Sequence, residues 1–184
     1  MLSRAAYKPP LACWRVGLLL MRTIETQTIF GETPMAMLMN GEVQLAAPRE
    51  EVWKKLNDPA VLKACIPGCE SLDVTGENQF QAVAVNKIGP VKARFKGTVN
   101  LTDLDPPNGY KISGQGDGGI AGFAKGGASV NLKDGEAGGT VLVYNVDAQI
   151  GGKLAQLGQR LVNGAAKKLA DQFFEKFAAA VKAG

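Results

Sequence analysis

Histidine does not occur anywhere in the chain. Its absence removes the Ser-His and Cys-His nucleophile pairs and every His-based metal site at once. Cysteine is scarce, and Cys13, Cys65 and Cys69 do not make a disulfide framework. Cys65 and Cys69 stand one residue further apart than a Cys-X-X-Cys pair, and two thiolates cannot complete a zinc site. Their segment reads instead as a structural turn with Pro67-Gly68 at its apex. Long apolar runs are missing too. Val16 to Met21, flanked by Arg15 and Arg22, falls far short of the roughly 20 residues a membrane span needs. The body also lacks an excess of charge. Net charge is +4, but Arg4, Lys8, Arg15 and Arg22 precede Glu25 with no acid among them, which leaves 17 of the 21 basic residues against 17 acidic ones. A neutral body carries no nucleic-acid footprint, so no nucleic-acid partner is expected.

What is present is a chain of 184 residues, 46% hydrophobic, enough for one domain with a core and an appendage. Residues 1–36 are the appendage. Their basic start and short apolar run share features with signal and transit peptides. However, Pro9, Pro10 and Trp14 fit poorly, and no small-residue cleavage site follows. The plainer reading is an over-long start, with translation beginning at Met35, Met37 or Met39. Residues 37–184 are the folded domain.

Within that domain, Leu38 to Ala46 alternates as a half-buried strand. Pro48 and the acids Glu50 and Glu51 open a short helix with Val52, Trp53 and Leu56 on its buried side. Asn57-Asp58-Pro59 breaks it, and a second short helix runs from Ala60 to Cys65. From Cys69 to residue 152 the helical period disappears. Strands are expected at Glu70–Thr75, Phe80–Ile88, Val91–Leu104, Tyr110–Gly116, Phe123–Lys133 and Gly139–Gln149. Val91 to Leu104 alternates strictly, which implies an antiparallel sheet with one wet face. After Gly151-Gly152, Leu154, Leu157, Leu161, Ala165, Leu169, Phe173, Phe177 and Val181 recur at steps of three and four. That spacing predicts one long amphipathic helix over Lys153–Val181, on the order of 40 Å at 1.5 Å per residue.

The glycines between Gly114 and Gly127 invite a phosphate-loop reading. No Gly-Lys-Ser/Thr follows and the flanks are strands, so they read as sites where a sheet bends around a helix. Strand parity then nominates an inner face. It includes Phe80, Ala84, Asn86, Phe95, Val99, Ile112, Phe123, Leu142 and Tyr144, joined by Leu157 and Leu161 from the helix. Several inner positions, such as Ala82, Ala84, Ala93, Gly97 and Gly114, are small. On the residues alone, this face is either a filled core or the wall of an apolar pocket. Asn86 and the Tyr144 hydroxyl are polar groups that either pair within the core or hydrogen-bond a ligand. The outward stripe Lys92, Arg94, Lys96 is either a solvated face or a contact for an acidic partner or anionic headgroups.

A strand, two short helices, six further strands and a long C-terminal helix resemble the helix-grip fold of START domains and birch-pollen-allergen-like proteins. The segments Gly41-Glu42-Val43, Ala47-Pro48, Val52-Trp53, Leu56-Asn57-Asp58-Pro59, Cys65-Ile66-Pro67-Gly68-Cys69-Glu70, Ile88-Gly89-Pro90-Val91, Asp105-Pro106-Pro107 and Gly151 to Gly158 make the chain similar to the carbon monoxide dehydrogenase G-subunit family over about residues 38–181. The resemblance implies an α+β helix-grip domain, with a curved seven-stranded antiparallel sheet around the C-terminal helix.

It also implies a non-catalytic accessory protein of a molybdenum hydroxylase of the carbon monoxide dehydrogenase type. Such a protein would bind an apolar small molecule, a quinone or a lipid, and help couple the enzyme to the membrane. No metal or covalent cofactor is implied. The implied partners are that apolar molecule and the hydroxylase subunits, with a cytoplasmic location peripheral to the inner face of the membrane. Many members carry a long C-terminal tail that attaches to the membrane, whereas this chain stops at Gly184. The contrasting expectations are an assembly or membrane-recruitment factor with a filled core, or a lipid-pocket enzyme such as a cyclase. The second needs ionisable side chains in the pocket, and the inner face nominated here contains no Asp, Glu, Lys or Arg.

Overall fold

The computed structural model describes residues 34–182. The expectations for residues 1–33 lie outside the described residues. Strand β1 spans Met35–Leu45, so Met35 and Ala36 belong to the sheet and not to the appendage. Helix α1 (Arg49–Leu56) and helix α2 (Pro59–Cys65) follow. Asp58 separates the two helices. Its carboxylate accepts from the Ala60 N–H at 2.8 Å and caps α2, while Pro59 supplies the fixed φ of a first helical turn. Then come β2 (Cys69–Gly76), β3 (Gln79–Ile88), β4 (Val91–Asp105), β5 (Gly109–Asp117), β6 (Phe123–Asp134) and β7 (Thr140–Gly151).

All strand pairs are antiparallel, in the spatial order β1-β7-β6-β5-β4-β3-β2. The first strand therefore sits at one edge and the second at the other, and α1 and α2 carry the chain across the sheet between them. The sheet is the helix-grip arrangement. Alternation along β4 buries Ala93 and leaves Lys92, Arg94 and Lys96 exposed, as a sheet with one wet face requires.

The expected single long helix is two. Helix α3 (Lys153–Gln156) ends at Leu157, and Gly158 turns the chain with φ +83° before α4 (Gln159–Lys182). A left-handed backbone angle suits glycine and interrupts a right-handed helix. The break re-phases the buried stripe. It runs through Val162, Ala166, Ala170, Phe173, Phe174, Phe177 and Val181, and Leu161 is left 40% exposed.

Two apolar clusters result. The larger gathers Leu45, Val52, Leu56, Cys65, Tyr110, Val130, Leu132, Leu142, Phe177 and Val181 from α1, α2, the sheet and the end of α4. Its buried polar neighbour, Thr140, donates its hydroxyl to the Ala47 carbonyl at 2.7 Å. The smaller joins Met37, Ile150, Leu154 and Val162, with Ile88, Val91, Phe95 and Leu157 packed against it.

Candidate functional site

Between the middle of α4 and the concave face of the sheet lies an apolar cavity of about 350 Å³. Ala82, Ala128 and Ala170 explain why it stays open. They line it from β3, β6 and α4, and their methyl groups leave space that larger side chains would fill. Leu62 of α2, Ile66 just after it and Leu72 of β2 close one flank. Tyr144 and Phe174 form the other, with rings stacked at 5.0 Å and 26°. Phe173 stands edge-on to Phe174 at 5.2 Å and parallel to Phe177 at 5.8 Å, which extends the aromatic wall toward the larger cluster. Gly41 is part of this wall by what it lacks. It pairs with Tyr144 in the sheet, and a Cβ there would fall 2.5–2.9 Å from the tyrosine ring. The phenol lies across the glycine and onto Phe174.

The lining contains no Asp, Glu, Lys or Arg. Its ionisable groups are two phenols, Tyr110 and Tyr144. Tyr110 packs edge-on against Trp53 at 5.5 Å, and burial pushes its hydroxyl up to about 12. At neutral pH it is a hydrogen-bond donor and not an anion. Burial also raises both thiols, Cys65 and Cys69, and the Cys69 thiol donates to the Ser71 carbonyl at 3.3 Å. Neither is an activated nucleophile. Among the described residues no group of three His, Cys, Asp or Glu is placed to hold a metal ion. A larger depression of about 790 Å³ lies beside Lys111, Lys125 and Asp147, but it is more open and carries charged side chains.

Of the residues nominated from strand parity, Phe80, Val99, Ile112, Leu142 and Tyr144 line the cavity together. The other six do not. Ala84 and Asn86 lie further along β3, past the part that lines the cavity. Phe95 and Leu157 pack into the smaller cluster. Phe123 is on the outer side of the sheet beside Lys96, Thr98 and Lys125, because the inner positions of β6 are the even ones, Ala128, Val130 and Leu132. Leu161 rests against Gly89 of the β3–β4 turn, turned away by the break at Gly158. Sequence reasoning missed Leu62, Ile66, Tyr110, Ala128, Ala170 and Phe174. Parity could have found Tyr110, two residues before Ile112 on the same strand. Leu62 and Ile66, in and just after α2, carried no such signal.

The family model for the carbon monoxide dehydrogenase G subunit (CoxG) matches residues 41–182. The chain belongs to this family. The match begins at Gly41, beneath Tyr144, and ends with the last described residue of α4. Among solved structures, a conserved protein from Geobacillus kaustophilus is similar at 37% identity, with 79% of this chain and 95% of that one covered and a TM-score of 0.76. The Zhui aromatase/cyclase from Streptomyces sp. R1128 shares the fold at 12% identity and a TM-score of 0.61, over 80% of this chain and 94% of that one. A Thermus thermophilus protein does so at 19% and 0.55, over 78% and 99%. No curated protein matches the chain. Among the described residues of this CoxG-family chain, no helix is long and apolar enough to cross a membrane.

Proposed function

We propose that this CoxG-family protein is a non-catalytic accessory component of a molybdenum hydroxylase of the carbon monoxide dehydrogenase type. It holds an apolar molecule, a quinone or a lipid, in the cavity and helps couple the enzyme to the membrane. The observation that carries this reading is the cavity itself: about 350 Å³ of space walled by aliphatic and aromatic side chains, with phenols as its ionisable groups. Small-molecule sites run from roughly 300 to 1,000 Å³ and combine apolar walls with a few polar groups that fix orientation. A volume at the low end suits a ring system whose chain leaves the cavity. The Tyr144–Phe174 stack offers a face for such a ring. A cyclase-like reading needs a carboxylate or amine to move protons, and the lining supplies neither.

The test is extraction of the purified protein with organic solvent followed by mass spectrometry, and titration with a short-chain quinone. A bound quinone or lipid, or saturable binding that Ala170→Phe abolishes while the melting temperature holds, is the expected result. A protein that yields no apolar molecule and binds no quinone overturns the carrier reading.

A further inference from the structure

At one end of the domain the β3–β4 turn, the β5–β6 loop, the end of β7 and the start of α4 gather over the smaller apolar cluster. The Leu161 side chain lies against Gly89, and the Phe95 ring lies against Gly118. The β5–β6 loop is tied down by its own backbone. The Gly118 N–H donates to the Gly122 carbonyl at 2.8 Å, the Gly119 N–H to the Asp117 carboxylate at 2.7 Å, and the Gly122 N–H to the Gly119 carbonyl at 3.0 Å. Ala121 is buried beneath the loop. This framework holds the side chain between them, Ile120, 87% exposed, with Phe123 at 39% and Leu161 at 40% on the same end. Single exposed apolar residues are ordinary on protein surfaces. An isoleucine fixed outward by a hydrogen-bonded loop and 87% exposed has no packing role in the domain.

The charge at this end is mainly basic, with Asp117 held in the loop by the Gly119 N–H and Arg94, between Lys92 and Lys96, paired with Glu70 at 2.7 Å. Lys87 and Lys92 stand directly opposite each other in the β3–β4 register, and like charges in that position disfavour each other. They are exposed, as are Lys96, Lys153 and Arg160, and none of the five makes an ion pair among the described residues. Neither 85–99 nor 148–170 contains an acid. Elsewhere Arg49 and Lys111 are paired with Asp134 and Asp103, and Lys167, further along α4, with Asp171.

We propose that this end is a docking surface for an anionic lipid bilayer. Ile120 enters the headgroup layer, Phe123 and Leu161 add exposed apolar surface at the same end, and the unpaired lysines and Arg160 meet the lipid phosphates. Apolar insertion combined with basic residues near an anionic surface is the physical basis of peripheral membrane binding. The surface deepens the membrane-coupling part of the function proposed above and rests on that reading. Its failure is distinguishable from failure of the cavity, because the two are read by different measurements.

The test is flotation of the full chain with vesicles of phosphatidylcholine, with and without phosphatidylglycerol, at low and high salt. The expected result is binding to the anionic vesicles that weakens with salt. Each basic residue near the surface contributes roughly fivefold, so Lys92→Glu combined with Arg160→Glu weakens binding by tenfold or more. Ile120→Asp weakens it by about tenfold through loss of the inserted side chain. Both variants keep the wild-type melting temperature and the cavity ligand.

Absence of binding to anionic vesicles, equal binding to neutral ones, or binding that survives Ile120→Asp overturns the proposal. So does a wild type that fails to float while the variants lose co-purification with carbon monoxide dehydrogenase subunits, since the surface then takes an acidic protein partner.

Discussion

Around Phe177 the helix meets the sheet through aromatic rings, whereas around Val162 it meets it through a valine and an alanine. In the first region Phe173, Phe174 and Phe177 hold α4 away from a sheet whose facing positions include Ala82 and Ala128, and a cavity opens between them. In the second, the bulk is on the sheet. Ile88, Phe95 and Ile150 reach toward Val162 and Ala166, and the space is closed. The same two layers give a pocket or a plug according to which layer carries the large side chains. Packing density in a filled interior leaves little room for both outcomes in one place.

The sharpest way to break the contrast is Phe177→Ala. Phe177 is fully buried and stacks on Phe173, so its loss should cost about 3–5 kcal/mol in urea denaturation. A loss below about 1 kcal/mol would show that the aromatic wall is not what supports that half.

Alkaline pH should separate the halves next. Tyr110 belongs to the larger cluster, and the smaller one holds no ionisable side chain. The folded state keeps this phenol protonated up to about pH 12, against an ordinary value of 10. Its contribution is fully present below pH 10 and falls as pH rises toward 12, because the unfolded chain releases the proton first. The loss amounts to about 2–3 kcal/mol. Stability curves between those values should show the fall, and Tyr110→Phe should remove it.

Gly41→Ala should act more narrowly. The added methyl meets the Tyr144 ring and displaces it from Phe174, at about 1–3 kcal/mol of stability. Quinone titration should weaken together with the Tyr144–Phe174 contact. The smallest effect is expected from Leu161→Trp. Leu161 is 40% exposed and outside the cavity, so stability should move by less than about 0.5 kcal/mol and ligand binding should stay unchanged. A blocked cavity in that variant would return Leu161 to the pocket wall.

These residues also show what the sequence made legible. Seven strands, two short helices and a closing helix follow from periodicity and from Gly, Pro and Asn-Asp punctuation. Alternation brings Phe80, Val99, Ile112, Leu142 and Tyr144 to one face because a strand's period is two. Leu161 misled because its spacing from Leu157 fits a continuous helix. Only the left-handed turn at Gly158 shows that the stripe restarts one residue later, at Val162. Phe123 misled because an apolar side chain suggests the interior, although it sits an odd number of residues from Val130. The contribution of α2 was hidden for another reason. Leu62 and Ile66 reach the cavity only because α1 and α2 cross from one sheet edge to the other, which is a property of topology and not of local pattern.

The turn at Gly158 has a consequence for how this chain tolerates changes in length. In an unbroken helix, one inserted residue rotates everything downstream by about 100°, since 3.6 residues make a turn. An insertion between Gly152 and Gly158 would have swung Ala170 and Phe174 off the cavity had α3 and α4 been continuous. With a non-helical joint in between, such an insertion is taken up at the joint, and the orientation of the helix over the sheet is insulated from it. The α3 segment can therefore change length without moving Ala170 and Phe174 off the cavity.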